Sequence, residues 1–397
     1  MSRTVVISGL GAVSPRAVGR AALWELLLKA DAGPVTLGEA GQPRPLELIP
    51  DGVLEKRAGQ LRHLDRLGRL AISATDLALE DAGLPAPGLD PTSQGIVFGS
   101  GYGCLPTNAE YLESILERGA RYGNPVVFQN TVTNAAAGYI SMLHDLRGPT
   151  ATLCSGWAAG VEAIGYAQQQ IEEGLAERMV VGSADTLSAQ LLAGVAHQGW
   201  LSPSGRGRPL DEARDGMRVS EGACTLLLEE LTQARGRGAH VYAEVAGTGH
   251  RSGPHGAEAR TLARAVTEAL RAAGVEPGRL GAVFSSANGR RDFDAWESRG
   301  LRDALGAHAA KVPVTCPKAV LGESFSAAGT LATLLAALAL DTGQVPATGG
   351  DIHLDPECGG LNLAVGAALR LESEWVLVTS LGDEGSAAAT VLRRAQP

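Results

Sequence analysis

The stretch that decides the fold is Arg208-Pro-Leu-Asp211, followed by Arg214-Asp-Gly216 and then by Ser220-Glu-Gly-Ala223. Proline, glycine and charged residues at this density are typical of a turn-rich loop. The apolar run at 224–228 that comes directly after it has the composition of a strand. Taken alone, the segment therefore indicates a turn-rich loop that leads into a strand.

Outward from this loop, strand-like and helix-like segments alternate along the chain. Runs rich in β-branched residues lie between stretches rich in alanine and leucine, and this alternation predicts a sheet covered by helices. The sequence therefore predicts an α/β fold. The candidate strands are 4–8, 95–98, 178–182, 223–228, 241–247, 282–286 and 375–380, and the candidate helices are 66–82, 158–173, 258–273 and 329–340.

A short basic stretch at 235–239 separates two rounds of this alternation. A strand candidate begins at 241, and the helix-strand pattern then starts again. We therefore expect an N-terminal half at 1–240 and a C-terminal half at 241–397.

Composition indicates a compact globular protein, and we expect no cofactor. The chain has 397 residues, of which 45% are hydrophobic and 19% are charged, with 52 glycines. It shows neither a signal peptide nor an apolar run of the ~18 residues that span a membrane, so we expect a cytoplasmic protein without a membrane partner. The five cysteines, at 104, 154, 224, 316 and 358, are scattered and suggest neither disulfides nor a metal.

The formal net charge of −9 excludes a general nucleic-acid-binding surface, because neutralising phosphates requires clustered lysine and arginine. An acidic surface also repels acidic partners unless a local basic patch offsets its field. The two candidate patches are Arg206 with Arg208, and Arg290 with Arg291.

Four segments together resemble the ketosynthase family. The opening segment is similar to the RPFD, RDG and GEGA pattern of that family, and residues 5–15 resemble its first strand and loop. Asn134-Ala-Ala-Ala-Gly138 and Leu146-Arg-Gly-Pro149 resemble the stretch before its nucleophile. The matches run in order from end to end. The resemblance implies a thiolase-like fold, with two similar α/β halves packed as five layers, αβαβα.

An active member of the family uses a cysteine at a helix N-terminus, where the thiol pKa is lowered, and two histidines that stabilise developing negative charge. Counting without gaps from Gly148-Pro149, the nucleophile position falls on Trp157. An indole has one N–H donor and no lone pair that can attack a thioester. The resemblance therefore implies that this chain lacks the nucleophile.

Both histidine positions are also substituted. Asn288 occupies the first, ahead of Asp294-Ala-Trp-Glu297, and Glu323 occupies the second, ahead of Ser326-Ala-Ala-Gly329. Asn288 can still donate a hydrogen bond, whereas Glu323 adds negative charge where an enolate has to be stabilised. Lys318 remains at its family position, and we expect it to pair with Glu323 or with Glu221.

The closing glycine motif is altered as well. It survives as residues 379–386, in which Leu381 replaces the phenylalanine that gates an active pocket and two acids enter the loop. Four active-site elements are thus changed while the surrounding scaffold motifs are intact, which favours a retained structural role.

A ketosynthase scaffold without nucleophile or histidines resembles the chain-length factors, the non-catalytic halves of heterodimeric ketosynthases that elongate polyketide or fatty-acyl chains. Glutamine is their usual substitute for the nucleophile, so Trp157 departs from the pattern. The resemblance implies a catalytic ketosynthase as partner. It also implies an acyl carrier protein, which is typically acidic and would dock mainly on that partner.

The resemblance also places the acyl tunnel and the dimer interface. The family dimerises through a strand near the nucleophile, and a loop corresponding to 124–134 reaches the tunnel of the other subunit. Leu105 and Phe128 are the candidate tunnel-shaping residues, although Phe128 could equally be interface core. The further tunnel or interface candidates are Tyr111, Thr133 and Asn134.

Two alternatives stay open. Cys154, in Leu-Cys-Ser-Gly, could be a displaced nucleophile, which requires a deletion before it and an insertion after it, or it could be a small buried strand residue. A stand-alone acyl-binding protein is the other alternative. It should behave well alone, whereas a chain-length factor should be unstable alone and bury a large apolar interface with its partner.

Overall fold

A computed structural model describes residues 3–31, 33, 46–53, 64–85 and 89–396. The strands are β1 (Val5–Val13), β2 (Leu46–Glu47), β3 (Gln94–Gly99), β4 (Thr150–Leu153), β5 (Arg178–Asp185), β6 (Val219–Ser220), β7 (Gly222–Glu230), β8 (Ala243–Ser252), β9 (Leu280–Phe284), β10 (Pro313–Thr315), β11 (Gln344–Val345), β12 (Asn362–Leu363), β13 (Leu369–Arg370), β14 (Trp375–Leu381) and β15 (Ser386–Arg394). The helices are α1 (Arg20–Leu28), α2 (Arg66–Asp81), α3 (Leu105–Arg118), α4 (Pro125–Phe128), α5 (Ala135–His144), α6 (Ala159–Glu172), α7 (Ala189–His197), α8 (Leu231–Gly236), α9 (Glu258–Ala273), α10 (Arg291–Leu305), α11 (Lys318–Leu321) and α12 (Ser326–Thr342).

The main sheet joins strands of both halves in the order β12-β10-β9-β14-β15-β8-β1-β7-β5-β3-β4. The two halves meet at β1 and β8, which pair only at Val6 with Glu244 and at Ile7 with Ala243. On either side of this narrow joint each half forms its own set of strands. The division at residue 240 stays a prediction.

Three apolar clusters show the layers. Between the two sets of strands, α6 and α12 pack in one core with β1, β7 and β14. Helices α2 and α5 cover the outer face of the N-terminal strands, and α9 and α10 cover that of the C-terminal strands. The order helix, sheet, helix, sheet, helix is the five-layered arrangement that the sequence predicts.

Strand β1 runs to Val13, well beyond the predicted end at residue 8, because two glycines let α2 pack directly against it. A Cβ on Gly9 would lie 2.5 Å from the carbonyl oxygen of Ala78, and one on Gly11 would lie 2.0 Å from that of Ala74. Any larger residue would force the helix away from the strand. The glycines that resemble a loop in the sequence are therefore part of the strand.

Most other predicted boundaries lie within a few residues of the observed ones, and 258–273 matches α9. Among the predicted helices the clearest miss is α12, which begins at Ser326 instead of 329. The Asp185 carboxylate accepts the backbone N–H of Ser326 at 3.0 Å and its hydroxyl at 2.6 Å. Since Asp185 ends β5, this cap joins the two halves.

The outermost N-terminal strand, β4, lies beside a surface rich in exposed apolar side chains, which we call the apolar face. Strand β4 pairs with β3 on one side only within the described residues. Helix α5 contacts β4, and α3 contacts α4. The apolar face comprises Leu112, Leu116, Tyr122, Val126, Phe128, Val132, Met142 and Leu143.

Candidate functional site

Trp157 lies in a 3-10 turn, Gly156–Ala158, between β4 and α6. The residue is 3% exposed. Its indole Nε1–H donates to the hydroxyl of Tyr102 at 3.0 Å, so the single donor of the ring is satisfied. The indole is surrounded by the rings of Phe325 at 5.3 Å, Phe293 at 5.6 Å and Trp200 at 6.0 Å between centroids.

Tyr102 is the hydrogen-bond acceptor of the indole. Burial raises the pKa of Tyr102 to about 12, so its hydroxyl is protonated at neutral pH. Its ring meets Phe325 edge-on at 5.0 Å. Phe325 has φ of +54°, a backbone conformation that side-chain-bearing residues rarely adopt. The aromatic packing around Trp157 therefore coincides with a strained backbone just before α12.

Asn288, Lys318 and Glu323 form one buried polar cluster. Glu323 Oε2 accepts the Lys318 ammonium at 2.6 Å and the Asn288 side-chain amide at 3.0 Å. Its other oxygen accepts the backbone N–H of Phe325 at 2.9 Å. Of the two partners that we expect for Lys318, the structure supplies Glu323; Glu221 instead pairs with Arg66 at 2.6 Å.

The closing loop after β14 reaches the same centre. Leu381 is buried in the apolar cluster that contains Trp157. Asp383 pairs with the Arg290 guanidinium at 2.7 Å, and Glu384 Oε1 accepts the backbone N–H of Trp157 at 2.9 Å. Arg290 is itself buried and lies 4.1 Å over the Trp200 ring. Arg290 and Arg291 therefore do not form the exposed basic patch that the sequence suggests.

Two carboxylates of α10 hold the surrounding backbone. Asp294 accepts the N–H groups of Leu210 at 2.7 Å and Asn288 at 2.8 Å, and burial raises its pKa to about 6. Glu297 accepts the hydroxyls of Ser286 at 2.7 Å and Thr379 at 2.6 Å. These acids tie the opening loop at 208–211 and the closing strand to the position of Asn288.

The tunnel candidates fall into separate places. Leu105 begins α3 and packs against the cluster that contains Trp157. Tyr111 contacts Phe128, with ring centroids 5.6 Å apart, and Phe128 is 55% exposed. Thr133 and Asn134 are exposed before α5, and a Cβ on Gly103 would lie 2.9 Å from the Thr133 methyl group.

Cys154 is exposed and follows the last residue of β4. The expectation of a small buried strand residue is therefore wrong. Trp157, and not Cys154, lies in the buried aromatic cluster beside Phe325, whose backbone N–H bonds Glu323.

The arrangement contains groups that sequence reasoning missed. Tyr102, Trp200, Phe293 and Phe325 enclose the indole, and no motif in the sequence marks them. Glu384 has a partial signal, because it is one of the two acids that enter the closing motif.

Comparison with known proteins identifies the class. The family model "Beta-ketoacyl synthase, N-terminal domain" matches residues 2–234, and "Beta-ketoacyl synthase, C-terminal domain" matches residues 241–350. The chain belongs to the beta-ketoacyl synthase family. The predicted ketosynthase resemblance and thiolase-like fold are thereby confirmed.

Individual relatives span the full chain. The "3-oxoacyl-[acyl-carrier-protein] synthase 2" of Coxiella burnetii is 30% identical, covering 99% of each chain. The "Putative polyketide beta-ketoacyl synthase 2" of Streptomyces coelicolor is 33% identical, covering 99% of this chain and 95% of that one. The solved "ishigamide ketosynthase/chain length factor" superposes with a TM-score of 0.89 at 27% identity over 100% of both chains.

Among the residues described, no helix is long and apolar enough to cross a membrane.

Proposed function

We propose that this chain is the non-catalytic chain-length-factor subunit of a heterodimeric ketosynthase. The observation that carries the proposal is that Trp157, at the position predicted for the nucleophile, is buried and donates its one hydrogen bond to Tyr102. An acyl transfer of this kind requires a thiolate at that position. A buried indole fills space but cannot act as the nucleophile.

The polar groups support the same proposal. Glu323, at a position predicted for a histidine, accepts hydrogen bonds from Lys318 and Asn288, so the ammonium and the amide are both turned towards this carboxylate. A carboxylate in this position opposes the build-up of a second negative charge. The cluster is suited to holding the backbone before α12 and poorly suited to stabilising an enolate.

The proposed partner is a catalytic ketosynthase bound at β4 and the apolar face. An edge strand beside a large exposed apolar surface is a liability in a monomer and is covered in stable assemblies. Extending the sheet across β4 would satisfy its unpaired backbone groups. In the proposed complex the acyl carrier protein docks mainly on the ketosynthase, where the nucleophile lies.

The proposed role in the complex is to shape the acyl tunnel. Tyr111 and Phe128 form a pair on the surface that the partner would cover, and Leu105 extends from this region towards the centre. Bulky side chains at the end of a tunnel stop a growing chain by overlap. The extender units would be malonyl groups on the carrier and the product a polyketide or polyene chain.

Intact-mass spectrometry tests the proposal directly. The chain is co-expressed with a candidate ketosynthase and incubated with an acyl thioester, and the added mass is assigned to one subunit. We expect the ketosynthase alone to gain the acyl group. The same experiment with Cys154→Ser controls for the exposed thiol of this chain. Acylation of this chain that disappears in Cys154→Ser would show a displaced nucleophile and overturn the proposal.

Assembly distinguishes the proposal from a stand-alone acyl-binding protein. We expect a 1:1 complex by size-exclusion chromatography with light scattering, and an interface of the size found in obligate complexes. A well-behaved monomer that binds acyl thioesters and ignores every ketosynthase would favour the binding protein.

A further inference from the structure

The backbone N–H of Trp157 lies where an anion could bind, and a carboxylate of this same chain occupies that position. This N–H lies one turn before α6, at the helix end where orphan amide groups attract negative charge. In acyl transfer, N–H groups of this kind stabilise the oxyanion that forms on the substrate. Here Glu384 Oε1 lies 2.9 Å from the nitrogen.

The chain is built to admit this carboxylate. A Cβ on Gly156, whose φ is +75°, would lie 1.9 Å from Glu384 Oε1, and a Cβ on Gly382 would lie 2.0 Å from it. Ser386 donates its hydroxyl to the same oxygen at 2.5 Å. Two glycines thus provide the space, and two donors provide the hydrogen bonds.

The loop that carries Glu384 is fixed on its other side. Asp383 pairs with buried Arg290, and Gly253 donates its N–H to the carbonyl of Gly385 at 2.9 Å. Glu384 is itself solvent-exposed, whereas Trp157 is buried. The carboxylate therefore covers the Trp157 N–H from the solvent side, where an incoming ligand would arrive.

We propose that Glu384 is an internal carboxylate ligand that closes a latent anion-binding site in this subunit. By occupying the Trp157 N–H, it excludes the carbonyl oxygens of acyl thioesters and the carboxylates of malonyl thioesters from this chain. This role of Glu384 lies within the chain itself and is separate from the proposed pairing with a ketosynthase. It predicts that removing the side chain opens a site for a small carboxylate.

Acetate is the probe. The sample is the purified full-length chain, together with its ketosynthase where the two co-purify. Line broadening of ¹³C-acetate in NMR spectra measures the binding. Glu384→Ala should bind acetate at least about tenfold more tightly than the wild type, a difference well within what one charge-assisted hydrogen-bonded site provides. Glu384→Gln should stay at the wild-type level, because its amide oxygen can still accept the Trp157 N–H. Asp351→Ala should also stay there, since Asp351 is an exposed carboxylate outside the loop that carries Glu384.

Acetate binding by Glu384→Ala no tighter than by the wild type would overturn the proposal, as would binding by Glu384→Gln that is as tight as by Glu384→Ala. Glu384→Ser is the second opening variant if Glu384→Ala does not fold. Gly156→Ala adds a readout that needs no ligand. Its Cβ collides with the Glu384 oxygen, so it should lower the thermal midpoint more in the wild type than in the Glu384→Ala background. Equal losses in both backgrounds would place the carboxylate elsewhere.

Discussion

The centre around Trp157 and the apolar face differ in how far their side chains are buried and paired within this chain. In the centre, which comprises Trp157, Asn288, Lys318 and Glu323, every named side chain is buried and has a protein partner. On the apolar face, Leu116 is 84% exposed, and β4 has a strand on one side only within the described part of the chain. The large apolar side chains that the described residues leave uncovered include this face, so the proposed partner should be sought there.

Replacing Lys318 tests how far the centre depends on internal pairing. Lys318→Ala leaves the buried Glu323 carboxylate without its cation, and we expect the free energy of unfolding to fall by about 3–5 kcal/mol. Chemical denaturation of the purified protein measures the change. Adding Glu323→Gln should restore much of the loss.

The matched control is Lys311→Ala, since Lys311 is exposed and should change stability by at most about 0.5 kcal/mol. Unchanged stability in Lys318→Ala would mean that the ion pair does not hold the centre together.

The pH dependence of stability tests Asp294, the carboxylate beneath Asn288. Its folded pKa of about 6 lies above the unfolded value of about 3.9, so the folded state binds the extra proton between these values. This group therefore stabilises the fold at low pH, and its contribution is lost as the pH rises through about 6. The free energy of unfolding of Asp294→Asn, taken relative to that of the wild type, should therefore rise by up to about 3 kcal/mol from pH 4 to pH 7.

Glu229 provides the control of opposite sign. Burial opposes its ionisation, but hydrogen bonds and charges from Arg237, Arg178 and Ser8 outweigh burial and lower its pKa. Its contribution is present above the unfolded pKa and is lost as the pH falls. Glu229→Gln should thus become less stable relative to the wild type as the pH rises. Parallel pH profiles for the two variants would contradict the assignment.

Leu116→Asp tests the apolar face. In the lone chain this exposed substitution should leave stability nearly unchanged. In the complex it places a charge in an apolar contact, and we expect association with the ketosynthase to weaken by about 2–3 kcal/mol, or roughly 30- to 150-fold. Surface plasmon resonance with immobilised ketosynthase measures the affinity.

Val365→Asp is the control, because Val365 is also exposed but follows β12, at the opposite edge of the sheet. If both variants bind with wild-type affinity, the partner uses another surface.

Phe128→Ala tests the tunnel with the smallest expected effect. Removing a ring that limits the tunnel relieves an overlap of about 1–3 kcal/mol, so the reconstituted pair should release longer products. Mass spectrometry of the products provides the measurement, with Val126→Ala on the same short helix as control. An unchanged length distribution, together with weaker association, would assign Phe128 to the interface core.

The sequence predicted what is local or carried by ordered motifs. Helix α9 was predicted to its ends, because an amphipathic run stops at Gly274, which takes the left-handed conformation. Motif spacing predicted Trp157, Asn288 and Glu323 as substituted positions, and the structure brings them into one centre. The start of α12 was missed because its cap, Asp185, lies 141 residues away.

The surroundings of the centre could not be predicted for the same reason. Tyr102 accepts a hydrogen bond from an indole 55 residues further along the chain, and Glu384 reaches an N–H 227 residues before it. Neither interaction has a spacing rule, because the first depends on how the loop after β3 packs against the turn before α6 and the second on how the two halves meet. The exposure of Cys154 and the burial of Arg290 were missed because both follow from the packing of neighbouring elements.

The fit of Trp157 also has an evolutionary consequence. Placing a cysteine there would empty most of an indole's volume, and replacements of this size in a core cost about 3–5 kcal/mol. The step would also leave Asn288 and Glu323 unchanged and hydrogen-bonded to each other. A change at residue 157 alone is therefore destabilising. Under the proposed function, the tryptophan at residue 157 is hard to replace, and descendants of this chain can vary more readily at their surfaces than at this position.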